Sequence, residues 1–445
     1  MQVQWYKKPG KNGLKSITVR ALSPTSLDTA SELKTALLLD SMHVAATWAD
    51  LPFTPSWNGF LRKTYNSGNV ACTRTQIDAL PFINLNAGDP SSIYTALLFA
   101  EPQSKLNGQG SCFVTFDQPL YAKASAIVAS APRGELDTVI LRLGGFHLLM
   151  SFLGTIGFIM AGSGIEDLWA EVYAKVSVSH MLSGHAYSRA VRAHLLTERA
   201  LGTLLLEECE NIQSYKADLR TLIINCFEGR TAPQDAAQKL LLQEVLEASQ
   251  SKKDSLAKRS PTGKLWVQYL NLVEIVRLFL RAERTCDWGL HLHAVKRMLP
   301  YLHAAGHFHY AKSAHLYVQQ MEELQSRIST AEFQVFVEQG FSIRRSDEFW
   351  ACVSLDMAIE QSLMRLLKVQ GGLTHGRGVS DTQLAYFVLS FPGCLKITEA
   401  LEILTGVSKI TTEQHVDLRD SRVAANVRDA SKFLQWLRER SPWAE

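Results

Sequence analysis

The chain has 445 residues, 46% of them hydrophobic and 20% charged, with Lys plus Arg at 46 against Asp plus Glu at 43. This is a globular composition, which excludes wholesale disorder, a collagen-like repeat and a disulfide-dense mini-protein. A formal charge of +3 is too small to mark a bulk-basic nucleic-acid binder and singles out no partner. At roughly 150 residues per domain the length fits about three domains, or equally one large core with insertions. The cysteines number seven, lie far apart and form no CxxC, which reads as a reduced, intracellular protein without a cysteine-type zinc site. The opening MQVQWYKKPGKNG has charge but no apolar stretch behind it, so it does not read as a signal peptide.

In chain order, residues 27–51 have helical spacing, with Leu33, Ala36, Leu37 and Met42 on one face. Residues 52–69 read as loop, punctuated by Pro52, Pro55, Gly59 and Gly68. From 88 to 146 the pattern is helix, strand, helix, strand, helix. Asp89 or Ser91 caps the first helix with Pro90 at its first position. Residues 111–116 (SCFVTF) form the first strand, 118–131 a helix and 138–143 (TVILRL) the second strand. Such strands suit burial between helices, with right-handed connections if they run parallel. The rest reads as helical at 165–175, 178–184, 185–212, 231–250, 265–285, 290–306 and 310–328, with the polar segment 251–264 as linker or exposed loop. FSIRR (341–345) reads as a last strand. Residues 354–368 read as an amphipathic helix with Leu355, Ile359, Leu363 and Leu366 on its apolar face, and the tail from about 395 as helical and polar.

Residues 143–165 contain no Asp, Glu, Lys or Arg, enough to span a bilayer if helical throughout. Glycine pairs at both ends shorten the helix to about 146–161, His147 and Ser151 lie one turn apart on one side, and no Lys/Arg cluster flanks the run. A buried core helix is the reading, with weak membrane association the alternative.

Several groups are candidates for chemistry. Asp117 ends an apolar strand, where α/β sheets hold ligands, or merely caps the next helix. Gly144-Gly145-Phe146-His147 forms a strand-to-helix turn at which backbone can approach an anion closely, or simply a tight turn with His147 in the core. Asp356 and Glu360 share a helical face as metal ligands would, or form a solvated acidic face. His291, His293, His303, His307, His309 and His315 include an i, i+4 pair but no HExxH, and read as surface or capping histidines with Gly306 ending the helix between them. Lys7, Lys8, Lys11, Lys15, Lys252, Lys253, Lys258, Arg259 and Arg344-Arg345 offer phosphate contacts or solvated loops. No GxSxG, kinase set, Walker loop or C2H2 finger occurs.

Taken together, residues 114–128, 139–157, 306–321 and 344–378 resemble a broad family of uncharacterised eukaryotic proteins, plentiful in invertebrate genomes and derived from mobile elements. Its segments are similar to the ribonuclease-H-like cores of transposases that carry a helical insertion. In that pattern a first strand ends in Asp-Gln, here Asp117-Gln118. A second strand ends in a Gly-Asp-Phe-His-like turn, a segment running from a Gly to a Tyr-Ala pair follows (here Gly306 to Ala311), and a late helix offers a Glu, here Glu360. The resemblance covers roughly residues 50 to 390, and the link to transposases is its weaker part. It departs at Gly145, where the transposase-like pattern has its second Asp.

The resemblance implies an α/β fold: a ribonuclease-H-like core with a large all-α insertion, predominantly helical overall. The expected division is an N-terminal region 1–88, core parts 89–205 and 306–395, an insertion 206–305 and a helical tail 396–445. It implies a transposon-derived protein whose ancestor performed Mg²⁺-dependent DNA strand cleavage and transfer. Asp117 and Glu360 would be catalytic, those two with Asp356 the metal ligands, and Arg344, Arg345 and His147 the nucleic-acid contacts. With Gly145 in place of an acid, activity is expected to be weak or absent, because each ion in such a site has few protein ligands. The implied cofactor is Mg²⁺ and the implied partner DNA, with a homo-oligomer open and a location in nucleus or cytoplasm. The alternative is a non-enzymatic protein- or nucleic-acid-binding scaffold.

Overall fold

The computed structural model describes residues 17–22, 30–51, 53–66, 72–77, 86–361 and 417–443, with scattered helical positions between 380 and 404. Within these the chain is predominantly helical. The first layer is α1 (Ala30–Trp48) and α2 (Trp57–Asn66). The second helix corrects the loop expected over 52–69. Pro52 and Pro55 stand ahead of it, while Trp57, Phe60, Leu61 and Thr64 recur at helical spacing and are buried.

The expected helix–strand alternation follows as α3 (Pro90–Leu106), β1 (Cys112–Phe116), α4 (Gln118–Ser130), β2 (Val139–Leu143) and α5 (Gly145–Ile159). Asp89 caps α3 by accepting from Ser91 N–H at 2.9 Å. β1 and β2 pair in parallel. All of β2 is buried, as expected of a strand covered on both faces. α5 is a core helix, with Leu148, Leu149, Phe152, Leu153 and Ile156 all at most 1% exposed. No helix among the described residues is long and apolar enough to cross a membrane.

Helices then continue as α6 (Ile165–Ala170), α7 (Lys175–Leu182), α8 (Tyr187–Glu207), α9 (Lys216–Phe227), α10 (Pro233–Ala237), α11 (Leu240–Arg259) and α12 (Pro261–Thr285). The single helix expected at 231–250 is divided between α10 and α11. The linker expected at 251–264 is instead the close junction of α11 and α12. Ser260 caps α12 by accepting from Gly263 N–H at 3.1 Å, and Pro261 sits in its first turn, where its missing N–H costs nothing. A Cβ on Gly263 would stand 2.6 Å from Leu256 O. The breakers therefore mark a corner between helices.

α13 (Trp288–Ala304), α14 (Phe308–Glu322), α15 (Leu324–Arg327) and α16 (Thr330–Val335) complete the helical run. Gly306, at φ 78°, turns the chain between α13 and α14 as expected. The strand expected in FSIRR is β3 (Ile343–Arg344), and it pairs antiparallel with an unanticipated β4 (Cys352–Val353). α17 (Leu355–Ile359) departs from its expected apolar face: Ile359 is 41% exposed, while Asp356, Met357 and Ala358 are buried. The helix turns a polar residue inward because Asp356 has partners there. Leu363 and Leu366 lie outside the described residues. The C-terminal helix, Asp420–Arg440, packs on α8 and α6. One hydrophobic cluster runs from Ala36 to Trp443. Among the described residues, β structure is confined to two two-stranded sheets. All seven cysteines are free thiols.

Candidate functional site

The register runs from Cys112↔Val139 to Phe116↔Leu143, so β1 and β2 end level. The next residues, Asp117 and Gly144, thus lie together at the carboxyl ends of the strands, the side on which α/β sheets hold ligands. Gly144 N–H donates to Phe116 O at 2.8 Å and extends the pairing by one step.

Asp117 caps α4: its carboxylate accepts from Leu120 N–H at 3.2 Å. Its charge also reaches into the crevice, where it acts on His147 and Tyr310. Gln118, the next residue, is buried and donates to Ser313 Oγ at 3.0 Å, tying α4 to α14.

α5 has no side-chain cap of its own, because Gly144 stands at its N-cap. Asp356 supplies one from α17, 210 residues beyond Phe146. Its Oδ1 accepts from Phe146 N–H at 3.0 Å and its Oδ2 from His147 N–H at 3.1 Å, while His147 Nδ1 lies 3.0 Å from Oδ2. A helix N-terminus is an anion site by virtue of its free N–H groups and dipole. Here the protein's own carboxylate fills it. The paired glycines make room. A Cβ on Gly144 would stand 2.5 Å from Asp356 Oδ2, and one on Gly145 would stand 2.8 Å from Glu283 Oε1 and 3.2 Å from Phe279 Cζ.

The electrostatics follow from this geometry. The hydrogen bond with Asp356 raises the His147 pKa above its ordinary value against the effect of burial, and the charges of Asp356, Asp117 and Glu360 add to it. Burial pushes Asp356 upward, but the His147 ring and the N–H groups of Phe146 and His147 outweigh it and hold the carboxyl below its ordinary range. Burial, then Asp117 and Asp356, lifts Tyr310 to about 12.

Asp356 is therefore in direct contact with His147, and the charges of Asp117 and Glu360 act on the same ring. Arg344 and Arg345 stand on and beside β3 and are engaged locally. Arg344 donates to the carbonyls of Glu348 and Phe349 at 3.0 and 2.8 Å, and Arg345 reaches Gln361. The histidines do not assemble. His291 is a core residue, 3.1 Å from both Glu283 Oε1 and Tyr317 Oη, which corrects its surface or capping assignment. His307 Nδ1 pairs with Ser151 Oγ at 2.8 Å, and His315 with Arg20 O. Lys252 pairs with Glu208. Lys7, Lys8, Lys11 and Lys15 lie outside the described residues. Among the described residues no three His, Cys, Asp or Glu side chains are grouped to hold a metal ion.

Sequence reasoning missed Glu283 and Tyr310. Nothing local to α12 or α14 marks them, although Tyr310 lies within the Gly306 to Ala311 segment. The family described as Domain of unknown function (DUF8702) matches residues 56–445. Neither the curated proteins nor the solved structures compared with the chain gave a match.

Proposed function

The chain belongs to that family, and from this premise we propose that it is a transposon-derived protein of ribonuclease-H-like ancestry that no longer cuts DNA and retains the crevice beyond β1 and β2 as a binding surface. The observation that carries the reading is the seating of Asp356 on the α5 N-terminus beside Gly145, where an added Cβ would meet Glu283 and Phe279. A two-metal centre, with ions about 4 Å apart, needs several free oxygen ligands from different elements. Both Asp356 oxygens already accept N–H donors, Asp117 is engaged as a cap, and position 145 bears no side chain. This donor set does not fit two ions. The proposed partner is DNA, with Arg344, Arg345 and His147 as its contacts. The parallel order β1–α4–β2–α5 supports the ancestry, with α9 to α13 as the proposed insertion.

A second reading keeps one divalent cation on Asp117 and Glu360. It is favoured by one observation, the action of both carboxylates on His147. Calorimetric titration with Mg²⁺ and Mn²⁺ of the parent, Asp117→Ala and Glu360→Ala separates the two, alongside nicking of supercoiled DNA and fluorescence anisotropy with labelled duplex. The first reading expects no nicking, no saturable metal uptake sensitive to either substitution, and salt-dependent DNA binding. Metal uptake and nicking lost in both variants would sink it. Absence of DNA binding would leave a scaffold for another partner.

A further inference from the structure

A cavity of about 350 Å³ lies among α2, α8, α12 and the C-terminal helix. One face of α8 lines it with Tyr187, Val191, Leu195 and Arg199, at successive one-turn steps. Trp57 and Leu280 continue the apolar wall. Four arginines also line it, Arg192, Arg199, Arg284 and Arg422, against a single carboxylate, Asp417.

The bonding of these groups is lopsided. Arg192 is satisfied: it donates to Asn426 Oδ1, Tyr173 Oη and Asp429 at 2.9, 2.8 and 2.6 Å. The other three guanidinium groups have no ion-pair partner among the described residues. Arg199 is 2% exposed, yet it meets only neutral acceptors, the Thr47 hydroxyl and, at 3.3 Å, Thr54 O. Arg284 reaches only Cys352 O, at 3.5 Å. The Nε of Arg422 is buried with no acceptor. Asn426 is 1% exposed, and its Nδ2 likewise has none. Asp417 accepts from Asn58 at 2.8 Å. His43, on the same wall, has its pKa held well below its ordinary value by burial and by Arg199, so it adds no charge.

Burying a cation without a partner is costly, and a buried donor without an acceptor costs about 1–3 kcal/mol. Hydrophobic packing alone would not select such residues around a void. An anion entering from solvent would satisfy them together, and an apolar body behind it would cover the α8 wall. Ligand sites commonly combine a mostly apolar lining of this volume with a few convergent polar groups.

We propose that this cavity binds a small organic anion, a carboxylate or phosphate monoester on an apolar body, whose head group is held by Arg199, Arg284, Arg422 and Asn426. Asp117, His147, Asp356 and Glu360 do not line this cavity, so its failure would leave the proposed function untouched.

The test is calorimetry on the full chain with octanoate, phenyl phosphate and 1-octanol, the neutral counterpart of octanoate. One of the two anions is expected to bind with one-to-one saturation, and 1-octanol at least about tenfold more weakly. Arg284→Gln and Arg422→Gln remove charges that have no ion pair in the free protein. Each is expected to leave the melting temperature unchanged and to weaken the anion about tenfold, the usual size of one charge-assisted hydrogen bond. Arg422→Lys should recover part of that loss. The proposal is overturned if neither anion saturates, if 1-octanol matches octanoate, or if both folded Gln variants bind as the parent does. The octanoate and 1-octanol comparison needs no variant, so it decides the matter even if a substitution prevents folding.

Discussion

Replacing Asp356 with Asn tests the centre of the crevice. Asp356 is 8% exposed, and its carboxylate accepts from the Phe146 and His147 N–H groups while facing the His147 ring. Losing an N-cap costs about 1 kcal/mol, and a hydrogen bond to a charged group is worth about 1.5–3 kcal/mol. An Asn keeps one accepting oxygen, so the net loss works out at about 2–3 kcal/mol near pH 5.5. Its pH dependence follows from the two shifts. The folded pKa of Asp356 is lowered, so its contribution is present above the unfolded value of about 3.9 and is lost as pH falls through the folded one. The folded pKa of His147 is raised, so its contribution is complete below about 6.5 and is lost as pH rises through the folded value. Both are whole between about pH 4 and 6.5. At pH 9 only the backbone share of about 1 kcal/mol should remain. Urea midpoints of the parent and Asp356→Asn at the two pH values measure this. An NMR titration of the His147 ring should give a midpoint above 6.5. A stability difference that is equal at both pH values, with His147 titrating at or below its ordinary value, would refute the reasoning.

Other expectations rest on separate contacts. Asp40 is fully buried, accepts from Trp57 Nε1 at 2.7 Å and faces Arg281 and Arg277. Asp40→Ala leaves the buried Arg281 without a carboxylate, while Arg277 keeps Glu198 at 2.9 Å, and should cost about 3–5 kcal/mol in urea unfolding; a loss under 1 kcal/mol would show the network is relaxed there. Gly145→Asp, which places an acid where the transposase-like pattern has one, should lower the melting temperature without restoring metal binding, because the Cβ meets Glu283; a stable variant that takes up Mn²⁺ would contradict this. Asp117→Ala should cost about 1 kcal/mol as a lost cap, and a much larger loss would show that the carboxylate has a further structural role.

What the sequence alone determined is local. The alternation α3–β1–α4–β2–α5 rests on short apolar runs, caps at Asp89 and Asp117, and glycines at the junctions, whose effects act within a turn or a strand. The turn at Gly306 and the strand at 343–344 were legible for the same reason. The same local signals misled at 52–69 and 251–264, where Pro and Gly mark the beginnings and corners of helices. Pro261 is tolerated in the first turn, and the need for Gly263 comes from a carbonyl on the preceding helix. Only the tertiary structure decided that Asp356 would close the α5 N-terminus, that Glu283 would stand against Gly145, and that Arg199, Arg284 and Arg422 would surround one cavity. Each of these joins residues far apart in the chain, and no local periodicity encodes a contact made when distant helices pack.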